Sequence, residues 1–164
     1  MENYIVINGK KAELTEEQLK ALGIEVKKES PFDRIDYGHY YYRVDTKGEI
    51  CIEEELDSLL DNRLHNVANY CTDKELLQQQ AYREILNRLL WRYSMEHDGD
   101  KIDWECYEEK YNIYYDSELQ KYRVADYMSW KTIGVVHFYT RETAKNAIEE
   151  IIEPFMAEHP DFKW

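Results

Sequence analysis

Glycine, proline and cysteine are all scarce in this chain of 164 residues, at 6, 3 and 3. The few glycines form neither Gly-x-Gly-x-x-Gly nor a P-loop, which excludes the phosphate-cradling turns built on those patterns. Cys51, Cys71 and Cys106 are odd in number and lack Cys-x-x-Cys spacing. A disulfide framework is therefore not expected, and the three read as free thiols in a reducing cytoplasm. Apolar runs are short, as in Ile5-Val6-Ile7, whereas a membrane-spanning helix needs about 20 apolar residues. The opening Met1-Glu2-Asn3-Tyr4 carries no secretory pattern of basic then apolar residues. A cytoplasmic protein without membrane segments is the expectation.

Acid and tyrosine are what the chain has in plenty. Thirty-four Asp and Glu against 21 Lys and Arg give a net charge of −13. The excess is spread out: −2 over residues 1–36, −5 over 37–99 and −6 over 100–164. Such a field repels phosphate backbones and attracts a basic protein partner, so direct nucleic-acid binding is disfavoured. The 15 tyrosines fall largely at strand positions, such as Tyr40, Tyr42, Tyr111, Tyr115, Tyr122 and Tyr127. A strand buried on one face uses every second side chain for the core, so the rest form an amphipathic aromatic surface of the kind found at protein interfaces.

Local signals divide the chain into four parts. Residues 1–24 read as a small ββα piece, with a hairpin turning at Asn8-Gly9 and a helix capped by Thr15, paired with Gln18 at capping-box spacing. Residues 25–36 read as a charged linker ending near Pro31. Residues 37–99 form a first β–α unit: a strand at Tyr40–Val44, a turn at Lys47-Gly48, a strand at 49–52, and a long helix over 73–97. Tyr82, Ile85, Leu86, Leu89, Leu90 and Tyr93 give that helix its apolar stripe. Residues 100–164 repeat the plan, with strands at 111–115, 122–127 and 133–138 and a helix over 141–156. Its stripe is Ala144, Ala147, Ile148, Ile151, Ile152 and Phe155, and Pro154 should kink or end it.

Displaced by 67 residues, Asp73 falls on Thr140, Glu75 on Glu142, and Leu77, Ala81, Ile85 and Leu89 on Ala144, Ile148, Ile152 and Met156. The fold class expected is thus α+β, a tandem duplication of antiparallel strands plus helix behind the ββα piece. The junctions Asn66-Val67-Ala68-Asn69-Tyr70-Cys71 with Lys74-Glu75, and Val136-His137-Phe138-Tyr139-Thr140-Arg141-Glu142-Thr143-Ala144, carry a further signal. They resemble the motif asparagine, aromatic, Phe, any, Thr, Lys, Glu, any, Ala of small proteins from phages and prophages of Firmicutes. Tyr4 to Ile24 is similar to a header found on many of them. Cys71, Asp73 and Leu77 depart from the family's Phe, Thr and Ala. The resemblance implies a phage setting and a duplicated unit, and it transfers no catalytic residue.

No residue pattern for catalysis stands out. His39, His65, His97, His137 and His159 form no i, i+4 pair and have no Cys at zinc spacing. Ser30, Ser58, Ser94, Ser117 and Ser129 lack a Gly-x-Ser-x-Gly context. Neither a metal site nor a cofactor is expected. Cys71 and His137 sit at matching edges of the two units, where structural roles are expected. The acidic stretch at 53–64, of no assigned structure, interrupts the repeat. Glu53, Glu54, Glu55, Asp57 and Asp61, flanked by Tyr40 and Tyr42, are the candidate partner-facing residues, because loops held on a rigid scaffold commonly carry function. Three readings remain open: a non-enzymatic acidic binding protein, in its most concrete form an inhibitor of a host defence protein; a sponge for a small nucleotide signal using Arg43, Arg63 or Arg123; and a metal-dependent enzyme built on the acidic stretch.

Overall fold

The computed structural model describes residues 4–7, 10–22, 30–97, 99–106, 109–125, 132 and 134–163. The chain divides into two compact units, Met1–Asp33 and Arg34–Trp164.

In the first unit, β1 (Tyr4–Ile7) pairs antiparallel with β2 (Lys10–Glu13), with Ile7 opposite Lys10. The expected turn at Asn8-Gly9 lies outside the described residues. The helix α1 (Glu16–Ala21) begins as expected. The Gln18 amide N–H donates to Thr15 Oγ1 and the Thr15 N–H donates to Gln18 Oε1, a reciprocal capping box. Leu19 of this helix is buried. Of the expected linker at 25–36, residues 25–29 lie outside the described part, and Arg34 and Ile35 belong to the larger unit, hydrogen-bonded to Glu55 and Tyr70.

The larger unit is α+β. β3 (Tyr40–Val44) and β4 (Ile50–Glu54) form an antiparallel hairpin with Tyr42 opposite Ile52. Its turn is built by Asp45, whose carboxylate accepts from the Lys47 and Glu49 amides, and by Gly48 at φ 88°. A side chain at Gly48 would also collide with Ile85 Cδ1 at 2.6 Å, so glycine is needed there for both conformation and space. After β4 the chain forms a helix, α2 (Leu59–Asn66), and not a loop. Tyr70 and Cys71 then return to the hairpin, and Cys71 bridges Tyr42 on the edge of β3 away from β4. The long helix α3 (Lys74–Glu96) follows, capped by Asp73, whose carboxylate accepts from the Leu76 amide.

The second run has the same order of parts. β5 (Tyr111–Asp116) pairs with β6 (Lys121–Val124) on one side and with the short β7 (His137–Phe138) on the other. Asp116 closes the hairpin turn as Asp45 does, accepting from the Glu118 and Leu119 amides. The expected strand residues 126, 127 and 133 lie outside the described part, and of the strand expected at 133–138 the described residues 134–136 are a turn and irregular chain, so that only His137–Phe138 pairs. Thr140 caps α4 (Arg141–Ala147), accepting from the Thr143 amide.

Pro154 does not end this helix. The path widens into a π-helical stretch at Ile148–Ile152, where the Glu153 N–H reaches the Ile148 carbonyl, and continues as α5 (Glu153–Glu158). A proline ring clashes with the carbonyl four residues back and supplies no N–H, and a five-residue step relieves both conflicts.

The two runs share one core. Leu86, Leu90 and Tyr93 of α3 pack with Phe138, Ala144, Ala147, Ile152 and Phe155. Both apolar stripes read from the sequence lie in or against this cluster. Ser94 ties the runs together, its buried hydroxyl donating to the His137 carbonyl at 2.6 Å.

Candidate partner-binding surface

The acidic stretch separates into an inner and an outer set. Glu55 and Asp61, expected among the partner-facing residues, are instead buried, at 1% and 3% exposure. The cause is a set of partners that sequence spacing does not reveal. Arg34, 21 residues upstream, donates from Nη2 and Nε to both Glu55 oxygens at 2.7 and 3.1 Å. The Tyr70 hydroxyl donates to Glu55 Oε2 at 2.9 Å and in turn accepts from the Ile35 amide. Arg34 also reaches Asn62 and Asp57. The paired Arg34 guanidinium, ahead of burial, decides the Glu55 carboxyl and holds it below its usual range.

Asp61 sits beneath this pair. The Tyr41 hydroxyl donates to its Oδ1 at 2.7 Å, and the Ser58 and Leu56 amides donate to Oδ2. The Asp61 amide in turn donates to Ser58 Oγ, completing the capping box that starts α2. Burial pushes the Asp61 carboxyl up, but the hydrogen bonds outweigh it and hold it at about 2. Tyr41 and Tyr70 stack with centroids 3.9 Å apart and planes at 18°. Burial drives both phenols upward, Tyr70 to about 12. Every polar atom here has a partner, which such a buried network needs if it is not to destabilise the fold.

The outer set is Glu53, Glu54, Asp57, Tyr40 and Tyr42. Glu53 pairs with Arg43 at 2.7 Å on the Tyr41 side of the hairpin. Tyr40, Tyr42, Ile52 and Glu54 share the opposite side, since Tyr40 faces Glu54 and Tyr42 faces Ile52 across the ladder. On that side Tyr42 is half-buried, whereas Tyr40 and Ile52 are 61% and 60% exposed. Tyr37, Leu56, Leu59 and Leu60 are also exposed around the open end of the hairpin. Asp57 is exposed at the β4–α2 turn in the left-handed region, at φ 53°. No Lys, Arg or His occurs between Lys47 and Arg63. The aliphatic members of this surface were missed in the sequence. The Ser58-Leu59-Leu60-Asp61 capping-box spacing was the signal that could have found α2, and with it the exposed leucines.

The other candidates do not assemble into a reactive centre. Cys71 bridges Tyr42 while His137 pairs with Asn112 in a different sheet. The Cys71 thiol is buried, which raises it above its usual range, and donates to the Asp73 carbonyl. The His137 ring contacts the Val135 carbonyl at 3.0 Å and meets the edge of Trp104. Of the arginines considered for a nucleotide, Arg43 is paired with Glu53 and Arg123 with Asp116. No group of three or more His, Cys, Asp or Glu suited to a metal occurs among the described residues. No helix among them is long and apolar enough to cross a membrane. A cavity of about 580 Å³ lies elsewhere, lined by Trp91, Met95, Ile102, Trp104, Val136 and His137 among others. Comparison with protein-family models, with curated proteins and with solved structures finds no match.

Proposed function

We propose that this chain is a non-enzymatic binding protein that holds a basic protein partner at the open end of the β3–β4 hairpin. The observation that carries this reading is the exposure of Tyr40 and Ile52 on one side of the hairpin, with Tyr37, Leu56, Leu59 and Leu60 exposed close to them in the chain and Glu54 and Asp57 exposed between them. Large apolar side chains gathered at one place on a surface mark interaction sites, and aromatic anchors ringed by charge are the composition of such sites. The net charge of −13 steers a basic partner toward the molecule. The resemblance of the junction motifs suggests a phage protein acting in the cytoplasm of a bacterial host, where inhibition of a basic defence protein is the concrete role. The two hairpin–helix runs, each with an Asp-closed turn and a capped helix, support a duplicated unit as its origin.

The two other readings have less support. A metal-dependent site in the acidic stretch would need Glu55 and Asp61, whose oxygens are taken by Arg34, Tyr70, Tyr41 and backbone amides. A nucleotide site on Arg43 or Arg123 would compete with the carboxylates they hold already, which leaves Arg63, exposed on α2, as its remaining candidate.

The test is capture from host lysate with immobilised protein at low and high salt, followed by identification of what elutes. A basic partner held at low salt, released by salt and lost with Tyr40→Ser or Glu54→Lys supports the proposal. Retention unchanged in both variants contradicts it.

A further inference from the structure

The register of the hairpin fixes where the main-chain groups of β4 point. Asp45 and His39 hydrogen-bond across to Glu49 and Glu55, so the odd-numbered residues of β3 face hydrogen-bonded partners. Tyr42, opposite Ile52, therefore turns its N–H and C=O outward, and both are taken by Cys71 at 2.7 and 3.0 Å. Val44 does the same one step along, and the Asn69 side-chain amide satisfies both of its groups. The outer edge of β3 is thus paired at Tyr42 and Val44, while the outward groups of Tyr40, at its end, meet no partner among the described residues.

The same alternation turns the N–H and C=O of Ile50, Ile52 and Glu54 outward on β4. No described residue takes them. Side chains along this edge do not shield it: Ile52 is largely exposed, and Glu54 is exposed beside it. An open ladder of this kind is a template for another strand. Charge selects which strand. Glu49 and Glu54 border the edge as exposed carboxylates, with Asp57 beyond them near Arg34, and Glu53 is already paired with Arg43. A second copy would bring another −13, whereas a basic segment would be attracted.

Resting on the basic-partner reading above, we infer that the partner is held by strand addition: an extended basic segment pairs with the outer edge of β4 through the main chain of Ile50, Ile52 and Glu54. Its alternate side chains meet Ile52 on one side and the glutamates beside it. Affinity comes from the ladder and from charge, and the preference for basic over acidic segments comes from charge alone.

A heptapeptide of alternating lysine and valine, capped at both ends, is the probe, titrated into the full chain by calorimetry and by amide NMR. A version N-methylated at every residue keeps charge and side chains but offers no residue N–H on either edge, so it cannot complete the ladder. Strand addition predicts at least tenfold weaker binding of the methylated peptide, and slowed exchange of the Ile50, Ile52 and Glu54 amides with the unmodified one. Ile52→Pro removes one outward N–H without touching the β3 bonds and should weaken binding more than Ile52→Ser does. If both peptides bind alike and Glu54→Lys weakens both, strand addition is wrong and the acidic face still stands as the site. If both bind alike and Glu54→Lys changes neither, or if neither binds, both the strand addition and the acidic face as a basic-segment site are overturned.

Discussion

Between β4 and α3 the chain forms α2 and seals it to the hairpin with polar side chains: Arg34 on Glu55, Tyr70 on Glu55, Tyr41 on Asp61. The corresponding position of the second run, where β7 meets β5, is sealed by Phe138, buried in the common apolar core. Both runs deliver a short third segment to the outer edge of a hairpin and then a capped helix. They differ in what holds that segment down. An apolar seal depends on shape and volume, while a polar one depends on protonation and on every partner being present. The first run should therefore respond to pH and to single charge changes, and the second to loss of volume.

The largest effect expected falls on the apolar seal. Phe138→Ala should cost about 4 kcal/mol, since a buried aromatic leaves a cavity that its neighbours fill only in part. Denaturant unfolding reads it directly, and a cost below about 1 kcal/mol would show that the second run is not closed by this residue.

The polar seal comes next, with a pH signature. Asp61 is held at about 2, below the roughly 3.9 of an unfolded aspartate, so its contribution is fully present above pH ~4 and is lost as pH falls toward 2. Asp61→Asn should cost on the order of 2 kcal/mol at neutral pH and flatten the loss of stability between pH 4 and 2. A variant whose stability falls with acid as steeply as the parent's would assign that loss to other carboxylates.

The smallest pair compares the two hairpin turns. Gly48 and Gln120 both lie in the left-handed region, at φ 88° and 49°. Gly48→Ala should cost about 1–2 kcal/mol, because the added methyl meets Ile85 as well as the strained backbone. Gln120→Gly, at an exposed position, should gain about 0.5 kcal/mol. Thermal melts resolve both, and equal signs would mean that the turns are not equivalent.

Parts set by neighbouring residues were readable in advance. The Lys47-Gly48 turn, the Thr15, Asp73 and Thr140 caps and both apolar stripes follow from spacings of a few residues. The α+β class follows from them. What escaped was set by distance along the chain. Nothing near Glu55 announces Arg34 or Tyr70, and a run of carboxylates reads as solvated until its cation is found. Of the seven candidate surface residues, Tyr40, Glu54 and Asp57 are exposed, Tyr42 is half-buried, Glu53 is paired with Arg43, and Glu55 and Asp61 lie inside. Pro154 was read correctly as a conflict, but its resolution by a wider turn depends on core contacts made by Ile152 and Phe155.

Adjacent glutamates give the sharpest test, because Glu54 and Glu55 are alike in sequence and opposite in role. Thermal melts of Glu54→Lys and Glu55→Lys at neutral pH compare them directly. Glu54→Lys should stay within about 2 °C of the parent, as surface changes do, while Glu55→Lys should fall by roughly 10 °C or more, since it buries an ammonium against Arg34. Equal, small shifts in both would contradict the division of this acidic stretch into an inner structural set and an outer binding set.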